Sequence, residues 1–326
     1  MILSPMATGN GAYVVHRALE QEIKDYCVFP YNPYWTLFPP ALHLFCRDKR
    51  PSIVHTTPDY GLFFRRKGIP LVLTVHNFVL DRFMQQYSTW PQRIHYKTDL
   101  RWFTGASLAL ADVVTSVSHY TASLVRKELG YRRDIRVIYN GIDTKRFAPA
   151  TKSGKKHITV LFSGNVSLRK GANLLPLIAE KLNPGISIIY TKGLRTRHSL
   201  VYRSNLRDAG HIPYRDMPRL YQDADMLLLP TVREGFCLAA LEAMASGLPV
   251  ITTNCSSMPE MIEHNKGGFL CNPEDTDEFA DKINLLADSP HLRRDMGSCN
   301  RERIERHFSQ ELMIGRYQEL FEEILK

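Results

Sequence analysis

The chain has 326 residues, 44% of them apolar and 10% aromatic, with a formal net charge of +9. That length exceeds what one hydrophobic core ordinarily fills, so two domains are expected, and the composition excludes a disordered or collagenous polypeptide. No run of about 18 apolar residues occurs, and the opening Met1-Ile-Leu-Ser-Pro lacks a basic stretch followed by a long apolar one, so neither a transmembrane helix nor a signal peptide is expected and the site of action is placed in the cytosol.

The charge is unevenly divided. Residues 1–150 carry 19 Lys and Arg against 11 Asp and Glu, whereas residues 151–326 carry 23 against 22. Basic clusters stand at Arg47-Asp48-Lys49-Arg50, Arg65-Arg66-Lys67 and Arg132-Arg133, near Phe78, Phe83, Tyr87, Trp90 and Trp102. Two readings stay open for them: a surface drawn to anionic lipid or a phosphate-bearing acceptor, or ordinary solvated helix ends. Nucleic acid is not an expected partner, because no helix-turn-helix, zinc-finger or aromatic RNA-binding pattern accompanies the charge. The six cysteines, Cys27, Cys46, Cys237, Cys255, Cys271 and Cys299, include no C-x-x-C pair and read as reduced core thiols.

In chain order, apolar β-branched runs recur at residues 26–29, 53–56, 70–75, 112–117 and 135–139, alternating with helical periodicity such as that of residues 11–23 and 121–129. The alternation predicts βαβ units on a parallel sheet. Residues 148–156 are polar with Pro and Gly, as an interdomain linker should be, which puts the boundary near Thr151. The pattern restarts at residues 157–163 and continues through 186–191, 225–230, 249–252 and 268–271, so a second doubly wound α/β domain is predicted over residues 151–308. Residues 309–326 form a helical stripe of Leu312, Met313, Tyr317, Leu320, Phe321 and Ile324.

Several segments place polar groups where α/β sheets gather ligands. Thr8-Gly-Asn-Gly11 lies between a short strand and a helix, where glycine lets backbone approach a phosphate. A dinucleotide fingerprint is disfavoured by Val14 in the third glycine position. His76 ends the strand Val72-Leu-Thr-Val, and Leu161-Phe-Ser-Gly164-Asn165-Val-Ser-Leu-Arg169-Lys170-Gly171 carries two cations from a strand into a helix. The most informative run is EGFCLAALEAMASGLPV at residues 234–250. Glu234 is expected in a Gly-containing loop after the strand of residues 225–230 and Glu242 inside the helix that the loop opens; at helical pitch their eight-residue step is an offset of about 80° and roughly 12 Å. Between them, the amides of Gly235, Phe236, Cys237 and Leu238 are expected at a helix N-terminus, which favours phosphate.

This run resembles the donor-site signature of retaining glycosyltransferases of family 4, whose GT-B architecture pairs two Rossmann-like domains across a cleft. The resemblance implies that Glu234 faces the transferred sugar, Glu242 hydrogen-bonds the ribose of a nucleotide sugar, and the intervening amides hold sugar and diphosphate. It further implies that Gly11 lies near the donor phosphate and His76 near the sugar, and that the final helix crosses back to the first domain. A plain terminal helix packed on its own domain fits the stripe equally well. Gly164 and Lys170 match the family's strand-end glycine and diphosphate-neutralising lysine. Asn165 stands where the family has arginine, and Arg169 is expected to supply that charge instead. The implied reaction moves a sugar to a hydroxyl of a glycan or lipid-linked acceptor with retention, without metal or prosthetic group. Val137-Ile-Tyr-Asn-Gly-Ile-Asp143 and Glu260 match family segments read as structural, and the backbone of residues 211–213 is expected near the nucleobase. A nucleotide-sugar epimerase, a glycosyl phosphorylase and a non-catalytic nucleotide-sugar-binding subunit share the architecture and remain as alternatives.

Overall fold

The computed structural model describes residues 1–47, 49–150, 157–193 and 200–326. The chain divides into two compact units, Met1–Gly141 with Glu311–Lys326, and Ile142–Gln310. The boundary expected near Thr151 falls outside the described residues, as do most of the expected linker and Asp48 of the first basic cluster. Residues 142–150 belong to the second unit for a packing reason: Phe147 is fully buried with its ring 5.9 Å from that of Tyr221. Ile142 also forms a parallel bridge with Ser309, which ties the start of the second unit to its end.

The first unit holds β1 (Ile2–Ala7), α1 (Gly11–Glu22), β2 (Tyr26–Tyr31), β3 (Ile53–Thr56), β4 (Leu71–Val75), α2 (Arg82–Gln85), α3 (Trp90–Lys97), α4 (Asp99–Leu110), β5 (Val113–Ser116), α5 (His119–Leu129) and β6 (Arg136–Val137). Its six-stranded sheet has the order β2-β1-β3-β4-β5-β6, with every pair parallel. Every residue of β3 and β4 is buried, as expected of parallel strands covered on both faces. Helix starts are chemically specified. Asn10 accepts from the Tyr13 amide at 2.8 Å to open α1, and Ser118 accepts from Thr121 at 3.0 Å to open α5.

The second unit holds β7 (Ile158–Phe162), α6 (Leu175–Ala179), β8 (Ile186–Thr191), β9 (Leu206–Gly210), α7 (Met217–Asp223), β10 (Met226–Leu229), α8 (Leu238–Ala245), β11 (Val250–Thr253), α9 (Met258–Met261), β12 (Gly268–Cys271), α10 (Thr276–Asp288) and α11 (Pro290–His307). Its strand order, β12-β11-β10-β7-β8-β9, is again all parallel. Counted from its own first strand this is the doubly wound order 3-2-1-4-5-6, which reverses between β7 and β10. Its core joins Val160, Phe162, Leu175, Ile188, Leu228 and Phe279, among others. β9 escaped the sequence pattern because Leu-Arg-Asp-Ala-Gly has one buried residue and two exposed charges.

The last helix, α12 (Gln310–Leu325), packs within the first unit. Met313, Ile314, Tyr317, Leu320 and Phe321 are its buried residues, whereas Leu312 is exposed. The stripe is therefore rotated slightly from the expected one and gains Ile314. An Arg136 to Glu323 ion pair and a hydrogen bond between Tyr317 and Thr74 fix the helix on that sheet. Among the described residues no helix is long and apolar enough to cross a membrane.

Candidate functional site

Open α/β sheets bind ligands beyond the carboxyl ends of their strands where the winding reverses. In the second unit that point lies between β7 and β10, and the segments leaving those two strands carry Arg169, Lys170 and Glu234. After β7 the chain turns through Gly164 and Asn165 into a short 3-10 helix, Leu168–Lys170. Gly171 ends that turn at φ +69°, and a Cβ there would stand 1.9 Å from the Pro230 carbonyl oxygen at the end of β10. Only glycine permits this approach, so the two segments meet because residue 171 has no side chain.

Glu234 is buried, and its carboxylate is matched by cations. Lys170 Nζ lies 2.6 Å from Oε1 and Arg169 Nη1 3.3 Å from the same oxygen. The Thr231 hydroxyl is 3.0 Å from Oε1, and the Glu234 amide donates to Ser256 Oγ at 3.1 Å. Burial resists the carboxylate's charge, but Lys170 and then Arg169 outweigh it and hold the Glu234 carboxyl below its ordinary range. Lys170 feels the mirror effect: burial opposes its charge, Glu234 overcomes that, and its ammonium is held above the usual lysine range. Arg169 also donates from Nη1 to the Arg233 carbonyl at 2.6 Å, and its own carbonyl accepts from Val232 at 3.0 Å. The turn after β7 and the loop after β10 are thus stitched into one surface.

Glu242 lies in α8, buried, and accepts from the Tyr221 hydroxyl at 2.7 Å. Burial raises its carboxyl to about 7, against the opposing pull of Tyr221, Arg146 and Lys170. Arg146 is itself held by the Tyr214 carbonyl at 2.8 Å and stacks 4.2 Å over the Tyr214 ring. Lys170 therefore acts electrostatically on both glutamates. α8 begins at Leu238 with Cys237 as its cap, so Glu234 lies in the preceding loop and Glu242 in the helix, as expected, but the eight-residue helical offset does not apply to the pair. The cause is the bonding of that loop to Thr231, Arg169 and Ser256, which keeps residues 231–237 buried and non-helical. Cys237 offers no side-chain cap, and Leu238 at the first turn is only partly buried. Phe236 packs its ring 5.3 Å from Phe308, and Gly235 is buried with it.

The remaining expected residues are placed as follows. Gly164 donates its amide to Thr191 Oγ1 at 3.0 Å, beside the Lys170 side chain. The Asn165 side chain lies against Gly193, where a Cβ would meet its Oδ1 at 2.0 Å. Gly11 is the first residue of α1 and His76 follows β4, both in the first unit. Thr231, Ser256, Tyr221 and Arg146 were missed by sequence reasoning. Thr231 alone left a signal, a Thr-x-x-Glu spacing with Glu234 that is the pattern of a reciprocal cap.

The raised Glu242 carboxyl has a signed consequence. Because it is raised on folding, its contribution to stability is full below the unfolded carboxylate range and is lost as pH rises toward about 7. Glu242→Gln should therefore gain stability relative to wild type between about pH 5 and pH 8, by roughly 1–3 kcal/mol. Urea denaturation of both proteins across that range measures the difference, which should be small at the acid end and largest above neutrality.

Comparison with known proteins bears on the family and the fold. A model described as Glycosyltransferase Family 4 matches residues 2–146, and one described as Glycosyl transferases group 1 matches residues 143–303. Among curated relatives, the N-acetyl-alpha-D-glucosaminyl L-malate synthase of Bacillus anthracis is 26% identical over 66% of this chain and 61% of its own length. The MMP alpha-(1->4)-mannosyltransferase of Mycolicibacterium hassiacum is 24% identical over 79% of this chain and 67% of its own. The chain thus spans about three fifths to two thirds of the length of these relatives. Among solved structures, Anabaena Alr3699/HepE in complex with UDP-glucose superposes with a TM-score of 0.81 at 18% identity, covering 99% of both chains. Sucrose-phosphate synthase of Thermosynechococcus elongatus gives 0.81 at 19% identity, covering 99% of this chain and 98% of the other. With two matched models that together run from residue 2 to residue 303, two doubly wound sheets and this fold likeness, the chain belongs to the group 1, family 4 glycosyltransferases of GT-B architecture.

Proposed function

We propose that this protein transfers a sugar from a nucleotide-sugar donor, a UDP- or GDP-sugar, to an acceptor hydroxyl with retention of anomeric configuration. The observation that carries the reading is the buried Lys170, Arg169 and Glu234 cluster at the reversal point of the second sheet. In this reading Lys170 and Arg169 neutralise the departing diphosphate, the task a metal performs in other enzymes. The amides opening α8 add the positive end of its dipole, Glu242 binds the ribose and Glu234 fixes the sugar. The leaving phosphate takes the acceptor proton, so the reaction calls on neither a separate base nor a prosthetic group. UDP is the first nucleotide to try, since a solved relative of the same fold binds UDP-glucose.

The acceptor is assigned to the first unit, as a glycan or lipid-linked molecule presented at an anionic membrane surface. Supporting this, exposed Trp90, Ile94 and Trp102 stand on α3 and α4 among exposed Arg93, Lys97 and Arg101, and Tyr34, Leu37 and Phe38 add further exposed apolar surface. Aromatic and apolar side chains interleaved with cations match the chemistry of a bilayer interface with anionic headgroups.

A thermal-shift screen with UDP-, GDP-, ADP- and TDP-sugars tests the donor side. One of them should raise the midpoint by several degrees at saturating concentration, and Glu242→Ala should abolish the rise. No stabilisation of wild type, or an equal response of the variant, contradicts the donor assignment. For the membrane, flotation with phosphatidylglycerol-containing vesicles should recover the protein at low salt and release it at high salt. Failure to float at either salt, with wild type folded, removes the bilayer from the account.

A further inference from the structure

His76 is joined to the interior of the first unit. Its Nε2 lies 3.1 Å from Nε2 of His16 on α1. His16 Nδ1 lies 2.7 Å from Ser4 Oγ and 2.8 Å from the Tyr26 hydroxyl. That hydroxyl is 2.7 Å from Nδ1 of His55, whose Nε2 is 2.7 Å from Thr74 Oγ1. Thr74 in turn meets Thr115 Oγ1 at 2.7 Å and the Tyr317 hydroxyl of α12 at 3.1 Å. Every member of this line is buried except His76, which is partly exposed.

Burial keeps the three imidazoles neutral, driving His16 well below the ordinary histidine range and His55 and His76 to about 3. A neutral imidazole has one N–H and one bare nitrogen, so each contact in the line dictates the next. In one polarity Thr74 donates to His55 Nε2, His55 Nδ1 donates to the Tyr26 oxygen, and Tyr26 donates to His16 Nδ1. His16 Nε2 then donates to His76 Nε2, and the proton of His76 rests on Nδ1. The reverse polarity carries the same number of protons, one on each ring and each hydroxyl, and leaves His76 Nδ1 bare. Neither ring can reverse alone: turning His76 over against a fixed His16 would set two N–H groups or two bare nitrogens face to face at 3.1 Å, so the two polarities exchange only if every ring and hydroxyl reverses together.

We propose that His16, Tyr26, His55 and Thr74 are positioning residues that hold His76 in a single tautomer, with Tyr317 of the C-terminal helix joined to the line at its far end. His76 then presents one fixed Nδ1 hydrogen-bonding role to a substrate hydroxyl without sampling the other tautomer, an orientation made in advance of binding. The substrate contact rests on the proposed function; the tautomer does not.

Nitrogen NMR of the full-length protein labelled at histidine, with His76 assigned by its loss in His76→Gln, reads the tautomer directly. Wild type should show one protonated and one bare ring nitrogen on His76 at neutral pH, not an average of the two tautomers. Tyr26→Phe should move both resonances toward the average of the two tautomers, and Tyr317→Phe should do the same more weakly. In donor turnover, kcat should fall about tenfold or more in Tyr26→Phe with KM for the nucleotide sugar within about twofold. Should Tyr26→Phe not fold, Tyr317→Phe carries the comparison, because it removes a hydroxyl and keeps the ring. Tautomer-averaged His76 resonances in wild type, or His76 resonances unmoved in the folded variants, overturn the relay. Absence of turnover in wild type contradicts the proposed function instead, and the resonances still decide the relay.

Discussion

A carboxylate taken out of water must find positive charge within a few ångströms, and Glu234 imposes that demand on the second unit. Removing one partner from such a buried pair typically costs about 3–5 kcal/mol, because the remaining charge is stranded. Lys170 and Arg169 meet the demand from the next segment of the sheet edge, which is why the turn after β7 and the loop after β10 must touch. Gly171 is the steric condition for that contact and Thr231 its polar seam. The arrangement is also chemically poised. A lysine ammonium has three donors, and a carboxylate that occupies one of them orients the others without exhausting the charge.

The two glutamates of the motif then differ by environment and not by residue type. Glu234 sits against two cations and is held ionised, whereas Glu242 sits against a tyrosine hydroxyl with its cations further off and is pushed up to about 7. Two carboxyls drawn apart in this way are the pattern on which the proposed donor site rests. The first unit solves its own burial problem differently. Three neutral histidines share hydroxyls along one line, and no charge is present to be compensated.

Much of this was legible in the sequence, and the limits have physical causes. Parallel strands buried on both faces, such as Leu71–Val75 and Met226–Leu229, announce themselves as continuous apolar runs, so the double α/β plan could be read directly. Lys170, Glu234 and Glu242 could be singled out from sequence because their motifs are local. Tyr221, Ser256 and Arg146 were not, because they reach the site by tertiary approach from 21, 22 and 68 positions away from their partners. His16 and His55 left a faint trace as polar residues on buried faces, but which side chains satisfy them depends on the order of the strands. The helical offset between Glu234 and Glu242 fails because the loop hydrogen bonds of residues 231–237 keep that stretch out of the helix, which starts only at Leu238.

The central claim is that the Lys170 cluster receives a diphosphate. Titration calorimetry tests it by comparing the nucleoside diphosphate that stabilises wild type with its parent nucleoside, each against wild type and Lys170→Met. The account predicts that the variant binds the diphosphate at least about tenfold more weakly and the nucleoside with unchanged affinity. Equal affinity of variant and wild type for the diphosphate would contradict it.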